Sequence, residues 1–347
     1  MSGPLLSPPP REFASTEEAV SEIWTALRDS RRVLICGHIR PDGDCVGSMT
    51  AMCRYLRGQG KEARLFFRGP MQANLRGALP EGEGPADDFP ADYAPDVTLC
   101  LDCGDAERIS EDFSQKAQGA IVNIDHHHAN TRFGRLNWVD PRFAAVGEML
   151  CRLVESDPGA WTPQIANALY LALMSDTGGF RFVNTTPETF RAAAMLAERG
   201  ADPAAAATLV WGNRRIETVR IVAAVMNRMR FELDGRLVWS EITQETYREH
   251  GGEENEPDNL GNELGTIEGV EVALLVRETR KGTARGSMRS GEGGVDVSRI
   301  AASLGGGGHP AAAGFEVKEP FATARDRIVE AVIEGVRAQI GKRSEKG

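Results

Sequence analysis

Apolar residues in the stretch STEEAVSEIWTALRDS fall at Ala19, Val20, Ile23, Trp24 and Leu27, the spacing of one helix face. Ser15 and Glu18 stand ahead of them in the arrangement of a capping box. The period then changes. RVLICG (32–37), EARLFF (62–67), DVTLCLD (96–102) and AIVNID (120–125) are short, nearly continuous apolar runs and predict strands. VGSMTAMCRYLRGQG (46–60) predicts a helix closed by Gly60, and further helices are expected around 147–156 and 163–175. In NTTPETFRAAAMLAERGADP a threonine cap candidate, a proline at the start and a glycine at the end bound another. Strands that are apolar throughout and alternate with helices imply a parallel sheet covered on both faces.

From about 204 to 232 the pattern stays helical, including IVAAVMNRM, and then its character changes. FELDGRLVWSEIT predicts a hairpin, and VEVALLVRET and TARGSMRS predict strands around glycine turns. GGEENEPDN (251–259) reads as an exposed acidic loop, and FATARDRIVEAVIEGVRAQI as an amphipathic helix. The expected fold class is α/β: a parallel-sheet domain over 14–204, a helical linker over 205–230, and a smaller α/β domain with a mixed sheet over 231–343. The proline-rich residues 1–13 read as a disordered tail rather than a signal peptide.

A length of 347 residues suits two domains, and 41% hydrophobic with 26% charged residues is ordinary for a soluble globular protein. No apolar run approaches the roughly 20 residues of a membrane span, so the cytoplasm is the expected location. The six cysteines, Cys36, Cys45, Cys53, Cys100, Cys103 and Cys151, sit mostly within apolar segments and read as reduced, buried thiols. Cys100 and Cys103 have CxxC spacing, but no second pair accompanies them. A net charge of −10 argues against a protein that wraps long nucleic acid, and leaves short anionic ligands open.

Four polar loops follow predicted strands or a helix: His38 with Asp42 and Asp44, then Asp102, then DHHH at 125–128, then Asp176 in MSDTGGFRF. Four of the six histidines lie there, and His309 lies in GGGGHPAAAG. In open parallel sheets ligands bind beyond the carboxyl ends of the strands, where such loops collect. Singly, each has a plainer reading: a turn at Asp42-Gly43-Asp44, a packed His38, a helix end at Asp176, a solvated histidine cluster. Together they suit two divalent ions held by hard oxygen and imidazole donors, with Asp42 and Asp44 sent to different ions by an extended turn.

The stretches HIRPDGDCVGS, LDCGD, IDHHHAN and SDTGGFRF resemble, in order, the four signature motifs of the DHH phosphoesterase family. GGGGHPAAAG is similar to the signature of the family's associated C-terminal domain. FRFVNTTPETFRAA and IEGVEVALLVRE resemble the branch that cleaves short oligoribonucleotides and dephosphorylates 3′-phosphoadenosine 5′-phosphate. The resemblance implies a hydrolase with two Mn²⁺ ions, Mg²⁺ or Co²⁺ being alternatives. It places His38 and Asp42 on one ion, Asp44 and Asp176 with His126 on the other, and Asp102 as the bridge. It further implies that Asp125 orients its neighbours and that His127 sits near the attacked phosphate. Cys45 stands where small residues such as alanine are usual and reads as a tolerated substitution. His128 lies beyond the motif, in an exposed or supporting position.

In the second domain, Gly305 to Gly308 allow close approach of backbone N–H groups to a phosphate. Gly306, Gly307 and Gly308 are the expected contacts, and His309 a donor to a phosphoryl oxygen or leaving group. Arg289 matches the family's phosphate-binding arginine, with Ser287 assisting; Arg285 reads as an ordinary solvated arginine. The expected partners are short RNA and nucleotide bisphosphates, not long duplexes or membranes, and the family implies a homodimer. The rival functions are a cyclic-dinucleotide phosphodiesterase, a RecJ-like single-strand exonuclease, a family inorganic pyrophosphatase, and a nucleotide sensor without catalysis. The pyrophosphatase branch uses a C-terminal domain lacking the glycine-histidine signature, and a sensor is expected to lack a ligand or two.

Overall fold

Strands form where the sequence offers branched apolar residues to both sides of a sheet. In a computed structural model, which describes residues 11–156, 161–212, 214–252, 260–291 and 293–344, the chain divides into two units, Met1–Asn213 and Arg214–Gly347. The first contains β1 (Arg11–Glu12), α1 (Thr16–Asp29), β2 (Arg32–Cys36), α2 (Gly43–Gly58), β3 (Glu62–Phe66) and β4 (Val97–Leu101). It continues with α3 (Phe113–Lys116), β5 (Ala120–Asp125), β6 (Leu136–Val139), α4 (Val146–Glu155), α5 (Pro163–Asp176), α6 (Pro187–Glu198) and α7 (Pro203–Trp211). Its six strands run parallel in the order β1-β6-β5-β4-β2-β3.

Every residue of β4 is buried, as are four of five in β2, because both faces of the sheet are covered. Val33, Ile35, Leu99, Leu101, Val122 and Ile124 join the helical layer. Leu34, Cys36 and Cys100 instead meet Phe66, Tyr93, Ile109 and Phe113. That second face is closed mainly by loops and the four-residue α3, with Phe66 stacked on Phe89 at 4.0 Å. All six cysteines are buried free thiols, Cys100 and Cys103 among them.

Several expectations change in detail. Ser15 caps α1 by accepting from Glu18 N, but the Glu18 carboxylate accepts from Ala14 N, one residue short of the expected box. Arg11 and Glu12, placed in the tail by the sequence, pair in register with Leu136 and Asn137. α2 begins at Gly43, with Asp42 as its N-cap, so Asp44 lies in the first helical turn rather than an extended one. The helical pattern over 204–232 is two helices, α7 and α8 (Ile216–Asn227), followed by a strand. Most of the acidic loop, 253–259, lies outside the described residues.

The second unit contains α8, β7 (Arg230–Glu232), β8 (Leu237–Ile242), α9 (Gln244–His250), α10 (Leu260–Leu264), β9 (Val272–Glu278) and β10 (Thr283–Ser290). It ends with α11 (Val297–Ser303), β11 (Gly307–His309), β12 (Ala312–Pro320) and α12 (Phe321–Ser344). The sheet order is β11-β12-β10-β9-β8-β7, antiparallel except for the parallel β8–β9 pair, hence mixed. Alternation sorts its residues: Val272, Leu274, Val276 and Met288 pack with residues of α11 and α12, while Ala273 and Leu275 pack with residues of α8 and α10. No helix among the described residues is long and apolar enough to cross a membrane.

Candidate metal centre

The chain leaves β2 on one side toward β3 and returns past β2 to β4, so the order of crossing reverses between those two strands. That is the point where a doubly wound sheet opens a crevice at its carboxyl end. His38 follows β2, Asp102 follows β4 and His126 follows β5. Asp42 and Asp44 stand at the N-terminus of α2, and Asp176 ends α5. All six come together. His38 Nε2 lies 3.5 Å from Asp102 Oδ2 and 3.9 Å from Asp42 Oδ1. His126 Nε2 lies 3.2 Å from Asp176 Oδ2, 3.6 Å from Asp102 Oδ1 and 4.0 Å from Asp44 Oδ2.

Both imidazoles are oriented from behind. His38 Nδ1 donates to Ile39 O at 2.9 Å and His126 Nδ1 to Phe143 O at 3.2 Å, which turns Nε2 of each toward the carboxylates. Metal-binding histidines are commonly fixed in this way. Asp102 presents one oxygen to each imidazole, and its Oδ1, fully buried, has no hydrogen-bond partner. Its backbone φ of 58° is left-handed, a strained conformation for a residue other than glycine. Asp44 is wholly buried and accepts from Val146 N at 2.7 Å, Gly147 N at 3.0 Å and Ser48 Oγ at 3.0 Å.

The charges show what the pocket suits. Burial raises the Asp44 carboxyl well above its usual range, and Asp102 and Asp176 push it further. Burial likewise raises Asp176 to about 6, against the pull of His126. For His38 burial opposes the charged form, but Asp102 and Asp42 outweigh it and hold the ring well above its ordinary value. His126 behaves the same way through Asp176. Carboxylates that repel one another, an orphaned oxygen and two pre-aimed imidazoles are the donor set of hard divalent cations. The residues fit such ions. Ligand atoms of three sets lie within 4.8 Å of one another: His38, Cys45 and Asp102; Asp102, His126 and His127; Asp44, His126 and Asp176.

Asp125 is buried and accepts from His127 Nδ1 at 2.7 Å, while Asn130 Nδ2 supports its other oxygen at 2.5 Å. His127 is held above its ordinary value because Asp125 and Asp102 overcome its burial. His128 is exposed.

In the second unit Arg289, Ala312 and His309 fall in register across β10, β12 and β11, and Ser287, Gly314 and Gly307 form the next row. Neighbouring strands lie about 4.8 Å apart, so Arg289 and His309 share one face roughly 10 Å from each other at Cα. Only small residues stand between them. Gly306 and Gly308 must be glycine: a Cβ would come 2.2 Å from Gly314 O at the first and 2.5 Å from Ala312 O at the second. Asn262 Oδ1 accepts from Arg289 Nε at 2.7 Å and fixes the guanidinium.

Comparison with known proteins agrees with this arrangement. The DHH family, N-terminal domain, matches residues 32–173 and the DHHA1 domain matches residues 235–338. The bifunctional oligoribonuclease and PAP phosphatase NrnA of Thermus thermophilus is 33% identical over 96% of this chain and 97% of its own. The chain belongs to the DHH family. An exopolyphosphatase-related protein from Bacteroides fragilis shares the fold of this DHH chain with a TM-score of 0.85, at 22% identity over 93% of this chain and 96% of that one. RecJ from Thermus thermophilus, solved in complex with Mn²⁺, gives a TM-score of 0.53 at 16% identity, over 95% of this chain and 56% of that one.

The DHH chain also uses residues that its sequence did not single out. Asn184 donates to Ala144 O at 3.0 Å and Asp176 O at 3.1 Å, tying the end of α5 to the loop that opens α4. Asn130, Asn184 and Ser48 all sit inside motifs already conspicuous for other residues, so position within a motif was the available signal. Asn262 follows the acidic loop and carried none.

Proposed function

We infer that the chain is a metal-dependent phosphoesterase that hydrolyses short RNA oligonucleotides to mononucleotides and removes a phosphate from 3′-phosphoadenosine 5′-phosphate. The observation that carries this is the convergence of His38, Asp42, Asp44, Asp102, His126 and Asp176 around the buried, unpartnered oxygen of Asp102. The near full-length similarity to NrnA supports the substrate class. The catalytic part lies within 14–204 and the substrate-binding part within 231–343. His38 and Asp42 would hold one ion, Asp44, His126 and Asp176 the other, and Asp102 both. Mn²⁺ is the favoured ion, as bound by RecJ. Two such ions supply a polarised phosphoryl oxygen and a water of lowered pKa.

The chain's own residues do the rest. Asp125 keeps the proton on His127 Nδ1 and so assigns Nε2 to proton transfer at the phosphate. Arg289, steadied by Asn262, grips a terminal phosphate, with Ser287 and the N–H groups of Gly306 to Gly308 beside it. His309 donates to a phosphoryl oxygen or leaving group. The test is turnover of a dinucleotide, longer RNA, a cyclic dinucleotide and 3′-phosphoadenosine 5′-phosphate with Mn²⁺. The reading requires the dinucleotide and the bisphosphate to lead the ranking; absence of turnover on both removes it.

Arg289→Ala is expected to raise KM for the bisphosphate roughly 10- to 100-fold, the worth of a charge-assisted hydrogen bond, with kcat changed far less. Steady-state kinetics check the split, and Arg289→Lys should recover part of it. Metal binding should also release protons. Without metal, burial raises the Asp176 carboxyl to about 6 and nearby carboxylates hold the His38 and His126 rings charged, so an ion displaces protons from all three. Mn²⁺ affinity therefore falls with falling pH, the last of the loss coming through about 6, which calorimetry in buffers of different ionisation enthalpy reads directly.

A further inference from the structure

Cys45, the third residue after the Asp42 cap, lies in the first turn of α2, and its side chain is wholly buried. Its Sγ sits between the carboxyl ends of β2 and β4: a Cβ on Gly37 would lie 2.5 Å from it, and its contact with Leu101 O is a long 4.0 Å. It belongs with His38 and Asp102 to a set of donor atoms all within 4.8 Å of one another, all three residues buried. Asp102, on a side chain 3% exposed, turns Oδ2 to His38 at 3.5 Å, while its unpartnered Oδ1 faces His126.

We propose that Cys45 is a ligand of the ion at the His38 site, giving that site a sulfur donor and a preference for thiophilic divalent ions that the sulfur-free Asp44–His126–Asp176 site lacks. This rests on the reading of the cluster as a metal centre. The donor chemistry differs between the halves: imidazole, carboxylate and thiolate at one, carboxylates and imidazole at the other. Thiolate donors select Zn²⁺, Co²⁺ and related ions, whereas carboxylates suit Mn²⁺ and Mg²⁺. On binding, the S–H bond breaks, its proton passes to buffer and an S–metal bond forms, with no change of oxidation state.

The experiment uses the full chain stripped of metal and titrated with Co²⁺, following the near-ultraviolet thiolate-to-cobalt charge-transfer absorption and the number of ions bound. Wild type is expected to show the band, and Cys45→Ser and Cys45→Ala to lose it while still binding Co²⁺. In parallel, Cd²⁺ affinity should fall about tenfold or more in Cys45→Ala, with Mn²⁺ affinity at the second site within about twofold. Circular dichroism confirms that the variants fold. Co²⁺ bound by wild type without a sulfur band, or a band that survives Cys45→Ala, overturns the assignment of Cys45 alone. Failure of wild type to bind any ion overturns the metal centre itself.

Discussion

Replacing Asp102 by asparagine is expected to lower dinucleotide turnover with Mn²⁺ by about 10³-fold or more, equal to about 4 kcal/mol, with far less effect on the metal-free fold. Asparagine is the informative choice. Residue 102 has a φ of 58°, which asparagine tolerates nearly as well as aspartate, so the backbone that feeds β4 into the site is kept. What is lost is charge at the one side chain whose two oxygens face His38 and His126. Stability without metal should move little. Neutralising Asp102 relieves repulsion on the Asp44 and Asp176 carboxyls but removes a carboxylate that holds the His38 and His126 rings charged, and the two offset. Thermal melts without and with Mn²⁺ read this out: the metal-free midpoint stays near that of wild type, and the metal-induced shift shrinks. A variant that melts early without metal and keeps full turnover with it contradicts the bridging role.

The residues of the cluster were legible because polar side chains directly after continuous apolar runs leave few structural alternatives. β2, β4 and β5 are such runs, and His38, Asp102 and His126 follow them. The fine placement was not legible. Asp42-Gly43-Asp44 reads as a turn by composition, yet Asp42 caps α2 and the backbone N–H groups of Val146 and Gly147, distant in sequence, bind Asp44. β6 escaped notice because LNWV mixes polar with apolar residues. Asn137 is nonetheless buried, satisfied by the backbone of Gly134 on both its donor and acceptor sides. β11 could not be read as a strand, since Gly-Gly-His has little strand propensity and becomes one only by pairing with β12. The break between α7 and α8 had one signal, Gly212, whose Cβ would come 2.8 Å from Thr208 O.

The second large effect lies in a helix contact. Gly47→Ala is expected to destabilise the first unit by about 3 kcal/mol and to lower its melting midpoint by about 6–12 °C. An alanine in a helix interior ordinarily gains about 0.5–1 kcal/mol over glycine, so the sign itself is diagnostic. Here a Cβ would come 2.4 Å from Ala168 O and 2.9 Å from Ala172 N, both backbone atoms of α5, which cannot rotate aside. α2 and α5 must separate instead. Asp44 stands one turn before Gly47, and Asp176 one turn after Ala172. The same displacement therefore spreads two carboxylates that converge near His126, and Mn²⁺ affinity should drop along with stability. Gly58→Ala on the same helix meets nothing within 4 Å and should be neutral or stabilising, with metal binding unchanged. Were both alanines equally harmless in melts and Mn²⁺ titrations, the close approach of α2 to α5 would not be what fixes the spacing of the cluster.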